Sequence, residues 1–275
     1  MSIAQALRDA AARLEQSSDT PRLDAELLLA HALGLDRNDL LLRQRELAVP
    51  PGYDALIERR LAGQPIAYIT GTRDFWTIRL HVTPDVLIPR PDTETLIEAA
   101  IDHFRSRAPA RILDLGTGSG ALLLAALDQW PDAIGLGVDI SPAALAVAKG
   151  NAERLGLGTR ASFRLGDWGE GVAGPFDLIL INPPYIALDA ALAGDVLHEP
   201  KGALYAGARG LDDYRRIAPM LPALLASGGM AAIEIGYDQR ESVSALLSCQ
   251  GLSVSCRSDL AGHDRCIAAM LPQPL

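Results

Sequence analysis

Apolar positions Ile3, Leu7, Ala10 and Leu14 recur at the spacing of an amphipathic helix and predict one near residue 3. Thr20-Pro21 offers a cap and a first-turn proline for a second helix bearing Leu23, Leu27 and Ala30, closed by Gly34. Shorter helical patterns follow around Asn38 to Arg43 and Gly52 to Leu61, giving a small all-helical unit that ends near Gly63. From Phe75 to Val82 the pattern changes to alternation, with Phe75, Thr77, Arg79 and His81 against Trp76, Ile78, Leu80 and Val82. That is the period of a strand or hairpin, and it reads as a connector between two domains. The expected division is a helical domain over 1–70, a hairpin linker over 71–92 and a larger domain over 93–275.

Beyond a capped helix at about Thr93 to Phe104, short apolar runs alternate with helical patterns. The first four runs are Arg111 to Leu115, Ile134 to Val138, Ala161 to Leu165 and Asp177 to Ile181. The last three are Met230 to Ile235, Leu252 to Cys256 and Cys266 to Leu271. Such alternation predicts an α/β fold, a mainly parallel sheet covered on both faces. Ligands bind these sheets at the carboxyl ends of the strands, so chemistry is sought just after each run.

Composition narrows the class. The 275 residues carry 25 basic and 34 acidic side chains, a net charge of −9, and 49% are apolar. A soluble, foldable, mildly acidic protein follows, long enough for a substantial core. The only lysines are Lys149 and Lys201, and no basic tract appears, which weighs against a face that holds bare nucleic acid by its phosphates. Cys249, Cys256 and Cys266 lack zinc or disulfide-framework spacing, so no metal site is expected. Arg8, Asp9 and Arg13 interrupt any signal-peptide core, and no later stretch reaches about 18 uncharged apolar residues, so a cytoplasmic location is expected.

The first run ends in Asp114-Leu115-Gly116-Thr117-Gly118-Ser119-Gly120 and passes directly into a helical segment. Three glycines allow a tight turn and close approach to a ligand, but their G-x-G-x-G spacing departs from the dinucleotide fingerprint. Asp139 ends the second run, where a carboxylate can accept both hydroxyls of a ribose. Ser141-Pro142 then caps the next helix. The third run leads into Asp167-Trp168, where the acid could accept an adenine amino group beside the indole. These features together resemble the class I S-adenosylmethionine-dependent methyltransferases. That resemblance implies a seven-stranded Rossmann-like sheet whose last strand is antiparallel. It also implies cofactor contacts from Gly116, Thr117, Gly118, Ser119, Gly120, Asp139, Asp167, Trp168 and Asn182.

The fourth run ends in Asn182-Pro183-Pro184-Tyr185. An amide nitrogen is a poor nucleophile, and no protein base fully deprotonates it near neutral pH. The Asn182 side-chain oxygen and the Pro183 carbonyl can each accept one N–H, directing the lone pair toward a sulfonium methyl. The two prolines fix the backbone, and Tyr185 supplies a flat face. This motif resembles that of methyltransferases acting on adenine, guanine or glutamine amino groups.

Other stretches narrow the likeness: Phe75-Trp76, Leu87-Ile88-Pro89-Arg90-Pro91-Asp92-Thr93-Glu94, Glu199-Pro200, and Asp259 to Arg265. With Arg22 to Leu28, they are similar to the HemK (PrmC) family of protein glutamine methyltransferases. That family implies methylation of the Gly-Gly-Gln glutamine of class-1 peptide release factors, S-adenosylmethionine as cofactor with S-adenosylhomocysteine as product, and a helical domain that grips the factor. Asn182, Pro183, Pro184 and Tyr185 are then the catalytic and substrate-binding residues, and a monomer is expected, without membrane or direct nucleic-acid contact. The Pro89-Arg90-Pro91 segment is either a lid over the cofactor or an interdomain brace. Alternatives are a glutamine methyltransferase of a ribosomal protein, a nucleobase methyltransferase, and a cofactor-binding interaction protein without catalysis.

Overall fold

The computed structural model describes residues 1–192 and 194–272, so the last three residues of the expected 93–275 domain lie outside the described ones. The chain forms two compact units, one of residues 1–72 with 192–198, the other of 73–191 with 199–275.

The first unit contains five helices: α1 (Ile3–Leu14), α2 (Pro21–Leu33), α3 (Arg37–Leu42), α4 (Tyr53–Leu61) and α5 (Ile66–Thr70). Ser2 caps α1 by accepting from the Gln5 N–H at 3.2 Å, and Gly34 ends α2 in the left-handed region. Ile3, Leu7, Leu14, Leu28 and Leu29 form its buried core. Buried Arg60 donates to Asp24 at 2.8 Å and to Asp195 at 2.5 Å, tying the 192–198 segment to these helices. A buried guanidinium needs such paired acceptors, because an uncompensated charge there would be strongly destabilising.

A hairpin of β1 (Thr72–Phe75) and β2 (Ile78–His81), all but Thr72 of it in the second unit, follows. Its tight turn places Trp76 at φ 53°, and buried Phe75, Ile78 and Leu80 join one hydrophobic cluster. Seven further strands form one sheet: β3 (Arg111–Leu115), β4 (Ile134–Asp139), β5 (Ala161–Leu165), β6 (Phe176–Ile181), β7 (Leu225–Glu234), β8 (Ser253–Ser258) and β9 (Asp264–Met270). Their order is β5-β4-β3-β6-β7-β9-β8, with β9 antiparallel to both neighbours and the pairs through β7 parallel. This is the sheet expected from the sequence, antiparallel last strand included.

Helices α6 (Glu94–His103) and α7 (Ala121–Gln129) supply core residues on one face, and α9 (Asp212–Ile217), α10 (Leu221–Leu224) and α11 (Arg240–Ser248) on the other. Helix α8 (Pro142–Arg154) lies against β5, β4 and β2. The central strand β6 is apolar and almost wholly buried, as burial on both faces demands, whereas the outer strand β5 carries exposed Ser162 and Arg164. Strand order reverses between β3 and β6, and the crevice at their carboxyl ends is the expected ligand position.

Candidate active site

A cavity of about 440 Å³ opens at that switch point, a size suited to a small-molecule ligand. Gly116, Thr117, Gly118 and Ser119 line it from the turn after β3, Asp139 from the end of β4, Asp167 and Trp168 from the turn after β5, and Asn182 and Pro184 from the turn after β6. Gly120, Pro183 and Tyr185 are outside this lining. Gly120 starts α7 with φ 84°, Pro183 is buried, and Tyr185 lies with its ring largely enclosed.

The glycine turn is closed by backbone and carboxylates. Gly116 has φ 75°, and a Cβ there would stand 3.0 Å from the Trp168 ring, so both backbone conformation and close approach require glycine. Asp139 accepts from the Gly118 N–H with one oxygen and from the Ser141 N–H with the other, each at 2.8 Å. Since an ionised carboxylate has about four lone-pair positions, acceptor capacity is left for a ligand. Ser141 in turn caps α8 through the Ala144 N–H. Asp114 accepts from the Thr117 hydroxyl at 2.6 Å and the Leu123 N–H at 3.3 Å, while its Oδ1 is buried without a partner. Burial pushes the Asp114 carboxyl up to about 7; Thr117 and Leu123 oppose this, and the nearby Asp139 charge adds to it.

Asp167, read from sequence as an adenine acceptor, is ion-paired with Arg216 at 2.5 Å. The Trp168 indole N–H donates instead to Asp213 at 3.2 Å, and Asp213 and Arg216 complete that wall of the cavity. Neither Asp213 nor Arg216 belongs to a motif. Their signal would have been only the acid and base spacing on a short helix.

On the other side, Asn182 Nδ2 donates to the Thr93 hydroxyl at 3.2 Å, and the Tyr185 hydroxyl donates to Glu234 Oε1 at 3.3 Å. The Tyr185 backbone is also held: its carbonyl accepts from Gln239 at 3.1 Å, and a Cβ on Gly210 would lie only 2.0 Å from that oxygen. Glu234 ends β7 fully buried, an acid inside an apolar strand run. Burial pushes it up to about 7, against the Thr93 hydroxyl, Arg265 and Tyr185, which favour its charged form.

The Pro89-Arg90-Pro91 segment is anchored within this unit at the cavity wall. Arg90 pairs with the buried Glu199, which also accepts from the Ile88 N–H at 3.0 Å, while Pro89 and Pro200 line the cavity. His198 and His263 are exposed, and neither lines the cavity.

Residues 5–71 match the family model of the PrmC N-terminal domain, and residues 107–206 match that of a methyltransferase domain. Among solved structures, a ribosomal-protein methylase of Lactobacillus delbrueckii subsp. bulgaricus superposes with TM-score 0.50 at 21% identity, over 67% of this chain and 81% of that one. A methyltransferase of Pyrococcus furiosus does so with TM-score 0.51 at 18% identity, over 77% and 95%. These share the fold. A release factor glutamine methyltransferase of Rhodospirillum rubrum is 48% identical, over 91% of this chain and 79% of the relative. The protein of that name from Cereibacter sphaeroides is 46% identical over 99% of both chains, and that of Bordetella pertussis 47% identical over 89% and 93%. Identity at this level across nearly the whole length shows that the chain belongs to the release factor glutamine methyltransferase family.

Proposed function

We propose that this chain methylates the side-chain amide nitrogen of the Gly-Gly-Gln glutamine in class-1 peptide release factors, with S-adenosylmethionine as the methyl donor. One observation carries the reading. The Asn182-Pro183-Pro184-Tyr185 turn and the Gly116–Gly120 turn meet at one cavity, in a chain whose near-full-length relatives are named for this reaction.

The cavity fits the cofactor. S-Adenosylmethionine carries an ammonium group, ribose hydroxyls and a flat base. The chain offers the unpartnered buried Asp114 Oδ1, the remaining lone pairs of Asp139, and the Trp168 ring packed on Gly116. When bound, the cofactor supplies a methyl group on a sulfonium, an electrophile that needs no further activation. The protein's task is to present the nucleophile. Asn182 Oδ1 and the Pro183 carbonyl each accept one amide N–H, which fixes the nitrogen and leaves its lone pair directed at the methyl. Both acceptors gain strength as the nitrogen turns positive, so they favour the transition state over the bound substrate. Loss of the surplus proton from the methylated nitrogen to water leaves one N–H replaced by a methyl group, so the pair of acceptors can no longer both be used, and transfer stops after one methyl.

The helical unit is the part that grips the factor in this reading, supported by its match to the N-terminal domain of that family. No helix among the described residues is long and apolar enough to cross a membrane, and work on release factors fits a cytoplasmic setting.

The test is to incubate the protein with labelled S-adenosylmethionine and, in parallel, a release factor, its Gly-Gly-Ala variant, ribosomal proteins and nucleic acid. Label on the wild-type factor alone is expected. Label on a ribosomal protein or a nucleobase would keep the chemistry and overturn the substrate.

A further inference from the structure

The clamp works only if Asn182 turns its oxygen, and not its nitrogen, toward the substrate. Nothing in an asparagine side chain sets that choice; its hydrogen-bond partners do. Here Nδ2 donates to the Thr93 hydroxyl at 3.2 Å. Thr93 is buried and sits where α6 begins, a position at which threonine usually caps the helix with its side chain. It makes no such cap: its backbone is helical, at φ −64° and ψ −22°, and its hydroxyl serves Asn182 instead. A hydroxyl that accepts from Asn182 still has its own proton to donate.

Glu234 holds the other end of the same turn. Its Oε1 takes the Tyr185 hydroxyl, and its Oε2 is buried without a hydrogen-bond partner. Thr93 acts on this carboxyl by favouring its charged form. Among the described residues Glu234 forms no ion pair; Arg265 and Asp92 influence it from beyond contact, and Tyr214 bonds its backbone carbonyl at 2.8 Å. A buried acid without an ion pair lowers stability, so its place beside the catalytic turn calls for a role there.

We propose that Thr93 and Glu234 are positioning residues for the clamp: Thr93, by accepting from Nδ2, sets which end of the Asn182 amide faces the substrate, and Glu234 Oε1 holds the Tyr185 hydroxyl at the other end of the same turn. The inference rests on reading Asn182 as the substrate clamp. It also gives the proline-rich segment a task, since Thr93 is delivered by the turn Pro91–Thr93.

The experiment compares Thr93→Val, Thr93→Ser, Glu234→Leu and Glu234→Gln with the wild type, using the full chain, a release factor and saturating S-adenosylmethionine. Thr93→Val keeps the shape and removes the hydroxyl. It should lower kcat about 10-fold or more while the KM for the factor and the Kd for the cofactor stay within about 3-fold. Thr93→Ser restores the hydroxyl and should recover most of that loss, which a packing role for the threonine methyl would not allow. Glu234→Leu removes the acceptor of the Tyr185 hydroxyl and should again lower kcat by about 10-fold, whereas Glu234→Gln keeps one accepting oxygen and should stay within about 3-fold of the wild type. Normal kcat in Thr93→Val, or equal losses in the valine and serine variants, would overturn the inference while the wild type still methylates the factor. A wild type that leaves the factor unmethylated would overturn the substrate reading and this inference with it.

Discussion

Asp114 lies under the glycine turn near the end of β3, and Glu234 lies behind the Asn182–Tyr185 turn at the end of β7. Both are fully buried, burial pushes both up to about 7, and each has one oxygen without a partner. They differ in where their donors come from. Asp114 is served by Thr117 and Leu123, within nine residues along the chain. Glu234 is served by Tyr185 from the turn after β6, and faces Thr93 from the turn that precedes α6. The cofactor half of the site is thus assembled locally, and the substrate half by tertiary structure. Local assembly produces a contiguous motif, whereas distant assembly leaves only single residues in unrelated stretches.

The two halves should therefore fail differently. Asn182→Ala removes one preorganised acceptor and should lower kcat by roughly 100-fold or more, with the Kd for S-adenosylmethionine little changed by calorimetry. Near-normal turnover would remove Asn182 from the clamp. Asp139→Ala should act in the opposite sense, weakening cofactor binding by about 30-fold through loss of a charged acceptor while kcat at saturating cofactor stays within about 3-fold. Unchanged cofactor affinity would make this carboxylate a purely structural partner of Gly118 and Ser141.

A smaller effect concerns pH. A carboxyl whose folded pKa is raised binds its proton more tightly in the folded chain, so its contribution to stability is present at low pH and is lost as pH rises from the ordinary carboxylate value through about 7. Asp114→Asn and Glu234→Gln should each flatten the wild type's decline in unfolding free energy between about pH 5 and pH 8, by on the order of 2 kcal/mol. Denaturant titrations across that range check it, and an unchanged decline would mean that neither acid is desolvated as the geometry requires. Gly116→Ala is the mildest change, expected to cost about 1 kcal/mol of stability, because φ 75° disfavours a side chain and the new Cβ presses on Trp168. A thermal melt like that of the wild type would show that the turn can relax.

The sequence makes visible what is periodic or contiguous. Six of the seven runs locate their strands to within two residues at each end, because buried strands of a covered sheet are apolar and bounded by turns. Pro21, Gly34 and Ser141 mark helix ends by local chemistry, whereas the expected Thr20 cap is not made, its hydroxyl donating to the Asp24 side chain instead. Strand β7 begins at Leu225 and not near Met230, since Ser227-Gly228-Gly229 reads as a turn and the irregular register opposite Phe176 and Leu178 leaves no pattern. Helix α5, at five residues, is too short for a period to show. The 192–198 segment groups with the helical unit through Arg60 and Asp195, which stand 135 residues apart. Glu234 could have been suspected as an acid inside an apolar run, but its partners could not.

The central claim is that two acceptors hold both hydrogens of one glutamine amide. Tandem mass spectrometry of a release factor after prolonged incubation with the protein and excess S-adenosylmethionine tests it most directly. A single methyl group on the side-chain nitrogen of the Gly-Gly-Gln glutamine is the predicted result. Two methyl groups on that nitrogen, or a methyl group on another atom of the factor, would contradict the account.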